Sequence, residues 1–328
     1  MWHRLKPVFA LVALAPLIAE YLLGSLSFQQ LALFPIMALM YGAGALFVRE
    51  AARHSRRGWP AVILLGLAYG VIEEGLATQS LFNPHYLGLR LLDYGFIPAL
   101  GIGGPWTVYV VILHVVWSIA VPIGLVEALF EERRTTPWLQ KTGLTVSGVV
   151  YALGVALVWF GSKQKEKFSA SGTQLLAVVL VALALVAAAF VFVRPGRDPV
   201  PGAQAASRWS PWRLGLLSFL AGSFFHMVTQ LGSDYLAPWV AVVIALAIPS
   251  AVLGVVLAAR RSGGWSEAHV DALMLGGLLA YCWLGFFMVQ RLHGLGALPG
   301  QCFPFAIIMV LVWRRFLRRP RRTANTAT

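Results

Sequence analysis

Ten stretches of roughly 20 predominantly apolar residues, separated by short polar breaks, constrain this chain more than any motif within it. They run over about 8–28, 30–48, 59–80, 105–128, 143–161, 173–193, 214–232, 236–259, 268–290 and 299–317. A hydrocarbon core roughly 30 Å thick accepts helices of that length, because a helix satisfies its backbone N–H and C=O groups within one segment. The spacing predicts an all-α polytopic transmembrane helix bundle of about ten spanning helices. Charged residues make up 12% of the chain, against roughly 25% in soluble domains, which is too few to cover a water-facing surface. Residues 1–328 therefore read as one integral membrane domain, with possible halves 1–194 and 214–328 joined by the Pro- and Gly-containing loop 195–213. The longest break, roughly 81–104, is apolar for a solvated loop and is expected to lie on the membrane surface or to dip back into it.

Short cytoplasmic loops retain Lys and Arg, which sets an orientation. With the N-terminus inside, all but five of the 26 basic residues fall in inner loops; the exceptions are Arg90, Lys163, Lys165, Lys167 and Arg291. Both termini are thus expected to be cytoplasmic, and the bias fits a bacterial plasma membrane. The net charge of +13 is spread over hydrocarbon edges with no folded recognition module around it, so it predicts anionic lipid headgroups as partner and no nucleic acid. Cys282 and Cys302 lack the paired spacing of a zinc or redox motif.

Ionisable side chains near a bilayer centre cost a few kcal/mol on insertion scales and usually face the bundle interior. Five stand near the middle of the apolar runs: Glu20, Glu73, Glu74, His114 and His226. At 1.5 Å rise per residue, Glu20 and His226 lie about 18 Å from the inner ends of their helices and the glutamates about 21–23 Å. His114 lies about 14 Å from the outer end of its own. All five are therefore expected at a similar depth. Glu127, Glu131, Arg133 and Arg134 read as an ordinary charged helix end, and the tryptophans, Trp117 among them, as interfacial anchors.

Two imidazoles and a carboxylate form a common zinc set that keeps a position open for water, and the bound ion lowers the pKa of that water to about 7. The expected ligands are Glu74, His114 and His226, with Glu73 exchangeable for Glu74 and the remaining glutamate as general base. Gln230, one turn beyond His226, is the expected oxyanion partner, and Glu20 supports the ligands from behind. A membrane protein or peptide is the expected substrate. The same residues also suit a proton- or cation-coupled transporter, or a scaffold with a polar core.

Glu73-Glu74, a lone His114 on a following helix and His226 with an amide at Gln230 resemble the CAAX-protease and bacteriocin-processing family of intramembrane metalloproteases. That family is characterised by Glu-Glu-x-x-x-Arg, Phe-x-x-x-His and His-x-x-x-Asn motifs. Here Thr78, Val110 and Gln230 stand where Arg, Phe and Asn occur. The PrsW-like intramembrane proteases are similar in pairing Glu-Glu with distant histidines. Either resemblance implies proteolysis centred on the glutamates and histidines.

Overall fold

The computed structural model describes residues 2–196 and 209–317. Among them are ten helices long and apolar enough to cross a membrane. They are α1 (Leu5–Leu22), α2 (Phe28–His54), α3 (Trp59–Ala77), α4 (Gly104–Leu129), α5 (Lys141–Glu166), α6 (Gly172–Val191), α7 (Pro211–Tyr235), α8 (Pro238–Arg261), α9 (Glu267–His293) and α10 (Leu295–Arg315). The protein is an all-α multi-pass membrane bundle. Most of the expected linker, 197–208, and the basic tail from residue 318 lie outside the described residues.

Burial separates central from peripheral helices. In α4, 78% of the most apolar stretch is buried, whereas in α8 the share is 11%. An apolar helix left uncovered is the solution that lipid permits, since acyl chains are as apolar as leucine. Helices α1 to α4 pack together around a core that includes Leu11, Ile18, Tyr69 and Ile119. Helix α7 lies along α9, while α5 and α6 lean on α2 and α3.

The segment between α3 and α4 forms turns and a two-residue antiparallel hairpin, Phe96–Ile97 with Ile102–Gly103, and holds no spanning helix. Its Tyr94 hydroxyl donates to the carbonyls of Gly232 (3.2 Å) and Leu236 (2.8 Å), closing the loop over the end of α7.

At the other end of the bundle the second apolar run continues six residues beyond its expected limit, because buried partners replace water. Arg49 is fully buried. Its Nε donates to Glu127 Oε1 at 3.0 Å and its Nη1 to Glu50. Its Nη2 donates to the carbonyls of Arg133, Arg134 and Thr136 at 2.9–3.1 Å. The guanidinium also covers the Trp138 ring, 3.4 Å from its centroid. Arg53 clamps both oxygens of Glu127, at 3.1 and 2.9 Å. Glu127 is thus a fully engaged counter-ion for α2, which corrects its reading as an ordinary helix-end charge. Arg134 reaches across to Glu267 and Asp271, and Arg315 of α10 meets Asp271 at 3.2 Å. Burial disfavours the Arg134 charge, but these carboxylates outweigh it and hold its pKa above the ordinary arginine value.

Candidate functional site

Besides the turn Trp313–Leu317 at the end of α10, four helices widen where they carry polar side chains. Glu20 lies in the π-helical turn Leu17–Leu22, Tyr41 in Ala38–Gly42, Glu73 and Glu74 in Glu73–Ala77, and His114 in His114–Ala120. Such turns are rare and concentrate at functional sites. Proline contributes to two of them. Pro16 directly precedes the first, and Pro122 follows the last, where it has no N–H to offer Ser118 and its ring displaces that carbonyl. At the end of the α4 turn, the Val121 N–H reaches back five residues to the Val116 carbonyl.

Two glycines let the backbones close on this level. A Cβ at Gly42 would sit 2.4 Å from the Val12 carbonyl, so α2 touches the α1 backbone and presses Tyr41 toward Glu20. At Gly70 a Cβ would meet the His114 Cβ at 3.1 Å, bringing α3 against α4. Gly42→Val is expected to destabilise the protein by about 1–3 kcal/mol, the usual cost of overpacking, because a carbonyl cannot yield as a side chain can. Gly70→Ala should cost less. Thermal unfolding of both variants in one detergent checks the order, and equal melting temperatures would contradict it.

The resulting centre is buried. Glu73 is 1% exposed, Glu74 8% and His114 3%, and one ligand atom from each lies within 4.8 Å of the others. Each side chain is held by one of its polar ends. Tyr41 Oη donates to Glu73 Oε1 and also touches Glu20 Oε1, while the Ser25 hydroxyl donates to Glu20 Oε2. Glu74 Oε2 accepts from the hydroxyls of Ser80 and Thr78, the latter at 3.1 Å, and the Trp106 indole N–H donates to Ser80 Oγ at 3.2 Å. His114 Nδ1 lies 2.9 Å from Ser118 Oγ.

The other ends are Glu74 Oε1 and His114 Nε2, which are hydrogen-bonded to each other, and Glu73 Oε2, which is not hydrogen-bonded. Glu74 Oε1 is 2.7 Å from His114 Nε2. Glu73 Oε2 lies 3.0 Å from His114 Nδ1 but without hydrogen-bond alignment, so it is a buried carboxylate oxygen left unsatisfied. A donor set of two carboxylates and an imidazole, with their far ends hydrogen-bonded and an orphaned oxygen among them, suits a divalent metal ion.

His226 is not in this group: of the expected set Glu74, His114 and His226, the structure brings Glu74 and His114 together with Glu73 and leaves His226 elsewhere. Its ring packs among Trp117, Tyr281, Phe225 and Tyr109, with centroids 4.4, 5.4, 5.4 and 6.1 Å away. Neither ring nitrogen has a hydrogen-bond partner among the described residues. Helix α7 meets α4 through Trp117, whose indole is buried and donates to the Gly277 carbonyl at 2.7 Å, so Trp117 is a core residue and no interfacial anchor. Gln230 accompanies His226, with its side chain at the Tyr109 hydroxyl, and does not join the carboxylates. Glu20 does reach the centre, through Tyr41. Sequence reasoning missed Tyr41, since a tyrosine in an apolar run carries no signal of its own.

Comparisons with curated proteins and with solved structures found no match. A family model, by contrast, spans residues 9–327, and the chain therefore belongs to the family that it describes, an uncharacterized membrane protein family.

Proposed function

We propose that the protein is a metal-dependent membrane-embedded hydrolase, of the intramembrane protease type, with its chemistry at Glu73, Glu74 and His114. The observation that carries this reading is the convergence of three buried ligand atoms whose residues are each tied at the far end. His114 and Glu73 would hold the ion, and Glu74 would either complete the ligand set or act as a general base toward water. The ion, zinc in this reading, supplies Lewis acidity and a water acidic enough to react near neutral pH. The protein's own part is to keep the ligands oriented and the surroundings dry, so that charge is poorly screened there. In the proposed orientation both termini face the cytoplasm and the basic loops meet anionic headgroups.

Metal content of the detergent-purified protein tests the reading. Near-stoichiometric zinc is expected in the wild type, and it should be lost in His114→Ala and retained in His226→Ala. A well-folded wild type that takes up neither zinc nor manganese when supplied would sink the hydrolase.

Cation-coupled transport is the second reading. It is favoured by the oxygen-rich donor set, which with one imidazole in place of two is less selective for zinc than the expected set. Proteoliposome flux that ignores both ion and proton gradients would dismiss it.

A further inference from the structure

Tyr41 stands apart from the other residues of the centre because its one hydroxyl meets two carboxylates from different helices. It touches Glu20 Oε1 on α1 and Glu73 Oε1 on α3, while itself belonging to α2. The side chain is 3% exposed, and its ring lies 6.1 Å from His114 and 6.2 Å from Tyr69. Glu20 is in turn anchored by the Ser25 hydroxyl, and Ser25 is anchored by its own carbonyl, 3.0 Å from His293 Nε2. A hydrogen-bonded line therefore runs from the loop after α1, through Glu20 and Tyr41, to one oxygen of Glu73.

The consequence is geometric. A glutamate has three side-chain torsions, and a free Glu73 could turn either oxygen, or neither, toward His114. Tyr41 engages Oε1, and this leaves Oε2 as the oxygen 3.0 Å from the imidazole and without an aligned partner. Glu74 is fixed by Ser80 and Thr78 near it in the chain, whereas the aligned hydroxyl bond to Glu73 comes from Tyr41 on another helix, the Tyr69 hydroxyl one turn earlier lying near it without alignment. Of the three candidate ligands it is the one whose direction depends on how α1, α2 and α3 pack.

We infer that Tyr41 is a positioning residue for the metal centre, holding Glu73 so that Oε2 is presented as a ligand, with Glu20 as its anchor. The inference rests on the proposed metal site and adds to it the residue that sets its affinity. Partners of this kind, one bond removed from the metal, typically contribute 10–100-fold in affinity when lost.

The test is zinc and cobalt binding to the full-length protein in detergent, with the dissociation constant and the visible absorption of the cobalt form read for each variant. Tyr41→Phe removes the hydroxyl and keeps the ring. It is expected to weaken binding about 10–100-fold and to alter the cobalt spectrum, because Glu73 loses its fixed orientation. Tyr21→Phe is the control: its hydroxyl donates to the Gln30 carbonyl at 3.1 Å, outside the centre, and its loss should leave both readouts unchanged. Should Tyr41→Phe fail to fold, Glu20→Leu cuts the anchor while keeping Tyr41, and a severalfold weakening is expected. Wild-type affinity and spectrum in Tyr41→Phe, or in Glu20→Leu where that variant replaces it, would overturn the role of Tyr41 and leave the metal site standing. A wild type that binds neither ion would overturn both.

Discussion

Under the proposed hydrolase function, Glu74→Gln is expected to lower cleavage of membrane-embedded peptides about 10²–10⁴-fold, the range that a positioned general base contributes. The substitution is nearly isosteric, and the amide oxygen can still accept from Ser80 and Thr78, so the fold should survive. What disappears is the negative charge 2.7 Å from His114 Nε2. A panel of single-span peptides reconstituted with wild type or variant gives the rate, and metal content measured beside it divides the two roles open to Glu74. Zinc retained with activity lost makes Glu74 the base; zinc lost with activity makes it a ligand. Unchanged turnover would remove it from the chemistry.

The largest effect on stability is expected at the opposite end of the bundle. Glu127→Ala leaves Arg49 and Arg53, 0% and 5% exposed, without the carboxylate that meets both. Breaking a buried pair by removing one partner typically costs 3–5 kcal/mol, because the charge left behind can neither rehydrate nor lose its proton. Arg49 keeps Glu50 and three carbonyls, so the loss falls hardest on the attachment of α2 to α4. Equilibrium unfolding in mixed micelles should show a loss of about 3–5 kcal/mol, with Glu127→Gln intermediate. A change below about 1 kcal/mol would mean that Glu50 and the carbonyls of Arg133, Arg134 and Thr136 hold Arg49 without Glu127.

These two regions were unequally legible. Glu20, Glu73, Glu74 and His114 announce themselves, since each interrupts an apolar run and must face other protein. Helical rise alone places them at one depth, and there they meet. The Arg49 network did not announce itself, because its residues stand at the end of an apolar run where solvated charge is ordinary. It is the partner more than 70 residues away, Glu127, that lets α2 remain helical and buried as far as Arg53.

Depth is one coordinate, and a site needs three. His226 shares the depth of the others by count along α7, yet Trp117 and Tyr281 receive its ring and the carboxylates do not. Tyr41 joins the centre because Gly42 lets α2 rest on the Val12 carbonyl and because a π-helical turn rotates the side chain inward.

From sequence alone follow the membrane, the ten helices and the residues too polar to face lipid, because hydrocarbon thickness and the cost of a bare charge act on each segment by itself. Which of those residues meet was decided by tertiary structure. Helices separated by tens of residues choose their facing sides through close packing and shared hydrogen bonds, and neither leaves a mark within one segment.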